Sequence, residues 1–128
     1  MPVVAMETKK RSILIVDDSR LIIERLINLL EGLEEVGSIL QAGSFAQTES
    51  LLSENRPDIA ILDIHLPDRS GIELLRYIKK KFPGIIVIML SNQSGEYYQK
   101  LCRVLGTDFF LDKSSGFDLV PQIIHSIG

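Results

Sequence analysis

Residues able to do chemistry stand where apolar runs end. Asp17 and Asp18 follow ILIV, Asp63 follows IAIL, Ser91 follows IIVIML, and Lys113 closes FFLDK. Two adjacent aspartates after a buried run repel each other and lose hydration, so the arrangement calls for a positive partner. Three carboxylates suit a hard divalent cation, and Mg²⁺ prefers oxygen ligands and waters. A carboxylate is also a nucleophile toward a phosphoryl group. A lysine and a hydroxyl can hold the phosphoryl oxygens, one as a charge and the other as a hydrogen-bond donor. Each residue alone has a plainer reading. Asp17 and Asp18 suit a helix N-terminus, Asp63 a turn, Ser91 a strand-end cap and Lys113 a solvated surface. It is their convergence that argues for chemistry.

The elements that must position them are legible as alternating patterns. Ile13–Val16, Ile59–Leu62 and Ile85–Leu90 are dense in aliphatic residues without in-out alternation, as in strands buried on both faces. Ser38–Gln41 and Asp108–Leu111 are weaker and belong near the sheet edges. Between them lie helical patterns. Leu21–Leu33 turns Ile22, Leu26, Leu29 and Leu30 inward, with Ser19 as N-cap. Phe45–Glu54 stops before Pro57, and Gly71–Phe82 stops at Pro83-Gly84. Glu96–Leu105 spaces Tyr97, Leu101 and Leu105 four apart, which makes Tyr97 core and Tyr98 rim; Cys102 reads as core filling. Phe117–Ile127 carries Pro121 in or near its first turn. Lys79–Lys81 reads as a solvated helix end and His125 as surface.

Strand then helix, repeated five times, predicts an α/β fold with a doubly wound, five-stranded parallel sheet. Helices cover both faces, and the expected flavodoxin-like order is 2-1-3-4-5. In such a sheet the C-terminal ends of the strands share one edge, where ligands bind. Asp17, Asp18, Asp63, Ser91 and Lys113 all fall on that edge.

Composition bounds the rest. The 128 residues suit one domain, with Met1 to Arg11 as a flexible tail and 12–128 as the folded unit. The net charge of −3 lacks the basic footprint of a nucleic-acid binder. One cysteine excludes an internal disulfide and fits a reducing compartment. No apolar run approaches the roughly 20 residues that span a bilayer. These features together point to the cytoplasm.

The acidic pair, the DxxxPxxxG element Asp63–Pro67–Gly71, Ser91 and the aromatic-xx-Lys element Phe110–Lys113 together resemble the receiver domain of bacterial two-component response regulators. The likeness runs from about Arg11 to Gly128. It implies that Asp63 accepts a phosphoryl group from a phosphohistidine on a sensor histidine kinase or a histidine phosphotransfer protein. It implies Mg²⁺ held by Asp18, Asp63 and the backbone carbonyl of His65, with Asp17 acting through water. Ser91 and Lys113 would then engage the phosphoryl oxygens, and Phe110 would swing inward. That switch would alter the surface of the fourth helix, fifth strand and fifth helix, read by a downstream partner, a second copy or an output domain absent from this chain. The resemblance implies no catalysis beyond self-phosphorylation and slow autodephosphorylation, and no contact with nucleic acid or membrane.

The sequence departs from the commonest family pattern. Ser91 replaces threonine and keeps the hydroxyl, while Phe110 stands where tyrosine is also common. Asn92 replaces a small residue and narrows access to the site. His65 and Gln93 hold variable positions that tune hydrolysis. Ser114 replaces a common proline; a cis Lys113–Ser114 peptide would cost roughly 2.5–4 kcal/mol, and its isomer stays open. Two other functions compete. An aspartyl-nucleophile hydrolase would carry a second aspartate two residues after Asp63, where His65 stands. A receiver-like module that never takes phosphate would have a broken acidic site.

Overall fold

The computed structural model describes residues 10–92 and 95–127; residues 1–9 of the expected tail, and Gln93, lie outside them. Ten elements follow in order: β1 (Arg11–Val16), α1 (Arg20–Leu30), β2 (Val36–Ala42), α2 (Phe45–Glu54), β3 (Ile59–Leu62), α3 (Gly71–Lys81), β4 (Ile86–Ser91), α4 (Glu96–Val104), β5 (Phe109–Asp112) and α5 (Leu119–Ile127). The strands form one sheet in the order β2-β1-β3-β4-β5, with every neighbouring pair parallel. This is the architecture expected from the sequence. Arg11 departs from its assignment to the tail: it opens β1, its N–H donating to the Glu35 carbonyl at 2.7 Å.

The three inner strands are buried on both faces because their side chains feed two cores. Leu14, Val16, Ala60, Leu62, Val87 and Met89 meet Leu52 of α2, Leu74, Leu75 and Ile78 of α3, and Cys102 of α4. The alternate residues Ile13, Ile15, Ile59, Ile61, Ile88 and Leu90 meet α1 and α5 through Leu26, Leu30, Val120 and Ile124. Period-two alternation therefore sends each strand into both layers. The outer strand β5 is only half-buried along its length, as an edge strand should be. Among the described residues, no helix is long and apolar enough to cross a membrane.

Three helix assignments shift. α1 ends at Leu30, and its buried face is Ile23, Leu26 and Leu30; Ile22 is half-buried and lines the acidic cleft. Ser19 caps α1, its Oγ accepting the Ile22 N–H. In α4 the two tyrosines exchange roles: Tyr98 packs on the core and Tyr97 is 70% exposed. The fully buried Cys102 defines the inward face of α4; Tyr98, four residues before it, shares that face, and Tyr97, five before, does not. Lys79 is not a solvated helix end. Its Nζ reaches the Ile85 carbonyl and the Asp108 carboxylate, each at 2.7 Å, whereas Lys80 and Lys81 are exposed. His125 is exposed and pairs with Glu35.

Candidate functional site

Parallel pairing carries the predicted residues to one edge and then fixes them with backbone bonds just beyond the strands. The Asp17 N–H donates to the Ala42 carbonyl, the Asp63 N–H to the Val16 carbonyl and the Lys113 N–H to the Ser91 carbonyl, each at 3.0 Å. Asp17 and Asp63 thus sit one step past β1 and β3, and Lys113 one step past β5. Asp17, Asp63 and Ser91 are buried; Asp18 is exposed.

Lys113 Nζ lies 2.7 Å from Asp17 Oδ2 and 3.1 Å from Asp63 Oδ2, bridging the two buried carboxylates. Asp17 Oδ1 also accepts the Ser19 N–H at 2.9 Å, so one aspartate ties the start of α1 to the lysine. Burial raises the Asp63 pKa, and the charge of Asp17 raises it further; the charge and hydrogen bond of Lys113 and the His65 N–H pull it back without cancelling the rise. Burial works against the Lys113 ammonium. The hydrogen bond it donates to Asp17 and the charges of Asp63 and Asp17 outweigh it, and the pKa of Lys113 is raised.

Asp17, Asp18 and Asp63 each offer an oxygen, all within 4.8 Å of one another. With these carboxylates ionised, one ammonium cannot neutralise the cluster. An all-oxygen donor set with surplus negative charge and one exposed member fits a hard divalent cation.

The DxxxPxxxG spacing has a steric cause at its end. A Cβ on Gly71 would stand 1.7 Å from the carbonyl oxygen of Asp63. Glycine lets the first residue of α3 rest against Asp63, and the Gly71 N–H closes the loop onto the Ile64 carbonyl at 2.6 Å. Inside this loop His65 is exposed and lines the cleft beside Asp63.

The other predicted residues take distinct places. Asn92 is exposed and lines the cleft beside Asp63 and Lys113. Phe110 is half-buried and packs on the core beneath α3 and α4. The described peptide bonds are trans, Lys113–Ser114 among them. Ser114 folds back instead, its N–H and Oγ both donating to Asp112 Oδ1. Two cleft residues escaped the sequence reading. Arg25 of α1 stacks on Phe117 with its guanidinium 4.0 Å from the ring centre, and both line the cleft. For Arg25 a signal was available: with Ile22 it follows the Ser19 cap at steps of three, which turns it toward the same side as the acidic pair.

A family model described as the response regulator receiver domain matches residues 13–125. The chain belongs to that family. Receiver relatives cover nearly all of it. It is 31% identical over 115 residues to the DNA-binding transcriptional activator EvgA of Escherichia coli K12, covering 88% of this chain and 55% of EvgA. It is 32% identical over 84 residues to the DNA-binding transcriptional activator DevR/DosR of Mycobacterium tuberculosis, covering 66% of this chain and 39% of that protein. The receiver thus spans about half the length, or less, of these curated relatives. Among solved structures, a CheY-like receiver domain protein from Methanospirillum hungatei superposes with a TM-score of 0.82 at 27% identity, over 93% of this chain and 94% of that one. The isolated receiver of RcsB from Salmonella enterica, solved with a phosphomimetic, gives 0.86 at 20% identity and shares the fold, over 93% of this chain and 88% of that one.

Proposed function

We propose that this receiver takes a phosphoryl group on Asp63 from a phosphohistidine of a sensor histidine kinase or a histidine phosphotransfer protein. The observation that carries the reading is the buried Asp63 carboxylate, held 3.1 Å from Lys113 within a three-carboxylate cluster at the sheet edge. An Asp63 oxygen attacks phosphorus, the phosphorus–nitrogen bond to the donor imidazole breaks, and its electron pair returns to the ring. The product is an acyl phosphate on Asp63.

Asp18, Asp63 and the His65 carbonyl would hold Mg²⁺, with Asp17 acting through water; bound there, the ion neutralises charge on the transferring oxygens. Lys113 then exchanges part of its pairing with Asp17 and Asp63 for a phosphoryl oxygen. The Ser91 hydroxyl donates to another, and Phe110 follows inward beside it. The local charge change biases the surface of α4, β5 and α5 between two states. That surface is read by a partner protein, a second copy of the chain or an output domain, in the cytoplasm. The only covalent chemistry is on the receiver itself, including slow loss of its own phosphate.

The test is incubation with Mg²⁺ and a small-molecule phosphodonor, followed by intact mass. One phosphoryl adduct is expected in the wild type, and none without Mg²⁺ or in Asp63→Asn. An adduct that persists in Asp63→Asn contradicts the reading.

A further inference from the structure

We infer that Asp68 is a positioning residue for the phosphoryl site: it hangs the loop that carries the His65 peptide on the first turn of α2. The inference rests on the cation site proposed above. Asp68 Oδ1 accepts the Phe45 N–H at 2.9 Å, and Oδ2 accepts the Ala46 N–H at 2.9 Å. These are first-turn donors of a helix far away in sequence, with no partner inside that helix. Oδ1 also accepts the Arg69 N–H at 2.9 Å, which fixes the carboxylate to its own loop. The Arg69 guanidinium stacks 3.8 Å from the Phe45 ring centre and adds a second tie to the same turn.

α2 does not depend on this for its capping. Ser44 Oγ already accepts the Gln47 N–H at 3.1 Å, and Gln47 Oε1 accepts the Gly43 N–H at 2.6 Å. What Asp68 adds is a connection between elements. β2 ends at Ala42, whose carbonyl holds the Asp17 N–H; α2 begins three residues on, where Asp68 holds it. The loop returns from Asp68 to Asp63, whose N–H is held by Val16, the neighbour of Asp17. A closed circuit of chain and hydrogen bonds thus passes through Asp17 and Asp63, and Asp68 is its link between loop and helix. The His65 peptide lies in the chain between that link and Asp63. Its carbonyl is the ligand proposed for the cation. Detaching Asp68 leaves the loop closed at Gly71 but loose at its middle, so the His65 peptide loses its fixed position.

The prediction is a loss of Mg²⁺ affinity with little loss of fold. Partners that orient metal ligands typically change affinity by 10–100-fold, and Asp68→Ala is expected to weaken Mg²⁺ binding by roughly tenfold. Calorimetric titration with Mg²⁺ alone reads this, and the rate of adduct formation from the phosphodonor should fall with it. Asp68→Asn keeps one acceptor oxygen and should fall between wild type and alanine. Ser44→Ala removes the helix's own cap and should lower the thermal midpoint while leaving Mg²⁺ affinity unchanged. Wild-type affinity in Asp68→Ala, or an equal loss in Ser44→Ala, overturns the inference. If Asp68→Ala does not fold, Asp68→Asn decides, and wild-type affinity there overturns it. A wild type that binds Mg²⁺ but gains no phosphoryl group defeats the proposed function and leaves this inference to stand on the titration. A wild type that binds no Mg²⁺ defeats both.

Discussion

Asp63 has conflicting demands. Its burial makes ionisation costly, and Asp17 adds like charge, yet the nucleophile proposed here must be ionised. The raised pKa has a consequence for stability. Between the ordinary carboxylate value and the raised one, the folded chain binds more protons than the unfolded chain. Stability attributable to this group is therefore full at low pH and falls as pH rises through that window. Asp63→Asn removes the loss. Its thermal midpoint without Mg²⁺ should exceed that of the wild type at pH 7, and the gap should shrink as pH falls below the raised value. Thermal melts across pH check this; a gap independent of pH would show that Asp63 is not under this strain. Asp17, Asp18, Asp63 and Ser91 were legible in the sequence because they follow apolar runs that read as buried strands, and Lys113 because it closes the weaker edge-strand run FFLDK. Asp68 was not. Its partners are backbone N–H groups of α2, and a backbone donor leaves no mark on residue type.

Element faces were legible where one residue dominates and illegible where a distant partner decides. In α4, spacing alone could start the stripe at Tyr97 or Tyr98. The choice falls to Cys102, which is fully buried in the core shared with the inner strands. Lys79 resembles its neighbours Lys80 and Lys81 in sequence, but the turn at Pro83-Gly84 brings the start of β4 under it. Asp108, before β5, accepts both Lys79 Nζ at 2.7 Å and the Val87 N–H at 2.8 Å. This clamp joins α3, β4 and β5 at the end of the sheet opposite the acidic cluster. The ion pair is partly exposed and contributes little by itself. The Val87 N–H is the costly part, because Val87 is fully buried. Asp108→Ala should therefore lower unfolding free energy by about 1–3 kcal/mol in urea denaturation. Because the clamp is remote from Asp63, phosphoryl adduct formation should persist. A change under about 0.5 kcal/mol, the usual range for surface substitutions, would show that Val87 finds another partner.

At the scale of the molecule, fold and chemistry share one cause. A parallel sheet aligns its C-terminal strand ends, so runs far apart in sequence deliver their following residues to one edge. The alternation of strand and helix patterns made this order readable, and β5 read as weak because an edge strand needs less burial. The same parallelism leaves Asp63 and His65, two residues apart, both at the cleft, and a phosphoryl group has an acceptor of either type. The measurement that separates them is peptide mapping of the phosphorylated protein, prepared with Mg²⁺ and a small-molecule phosphodonor. The modification is expected on Asp63, as an acyl phosphate labile to hydroxylamine. A stable modification on His65 or His125, with Asp63 unmodified, would contradict it.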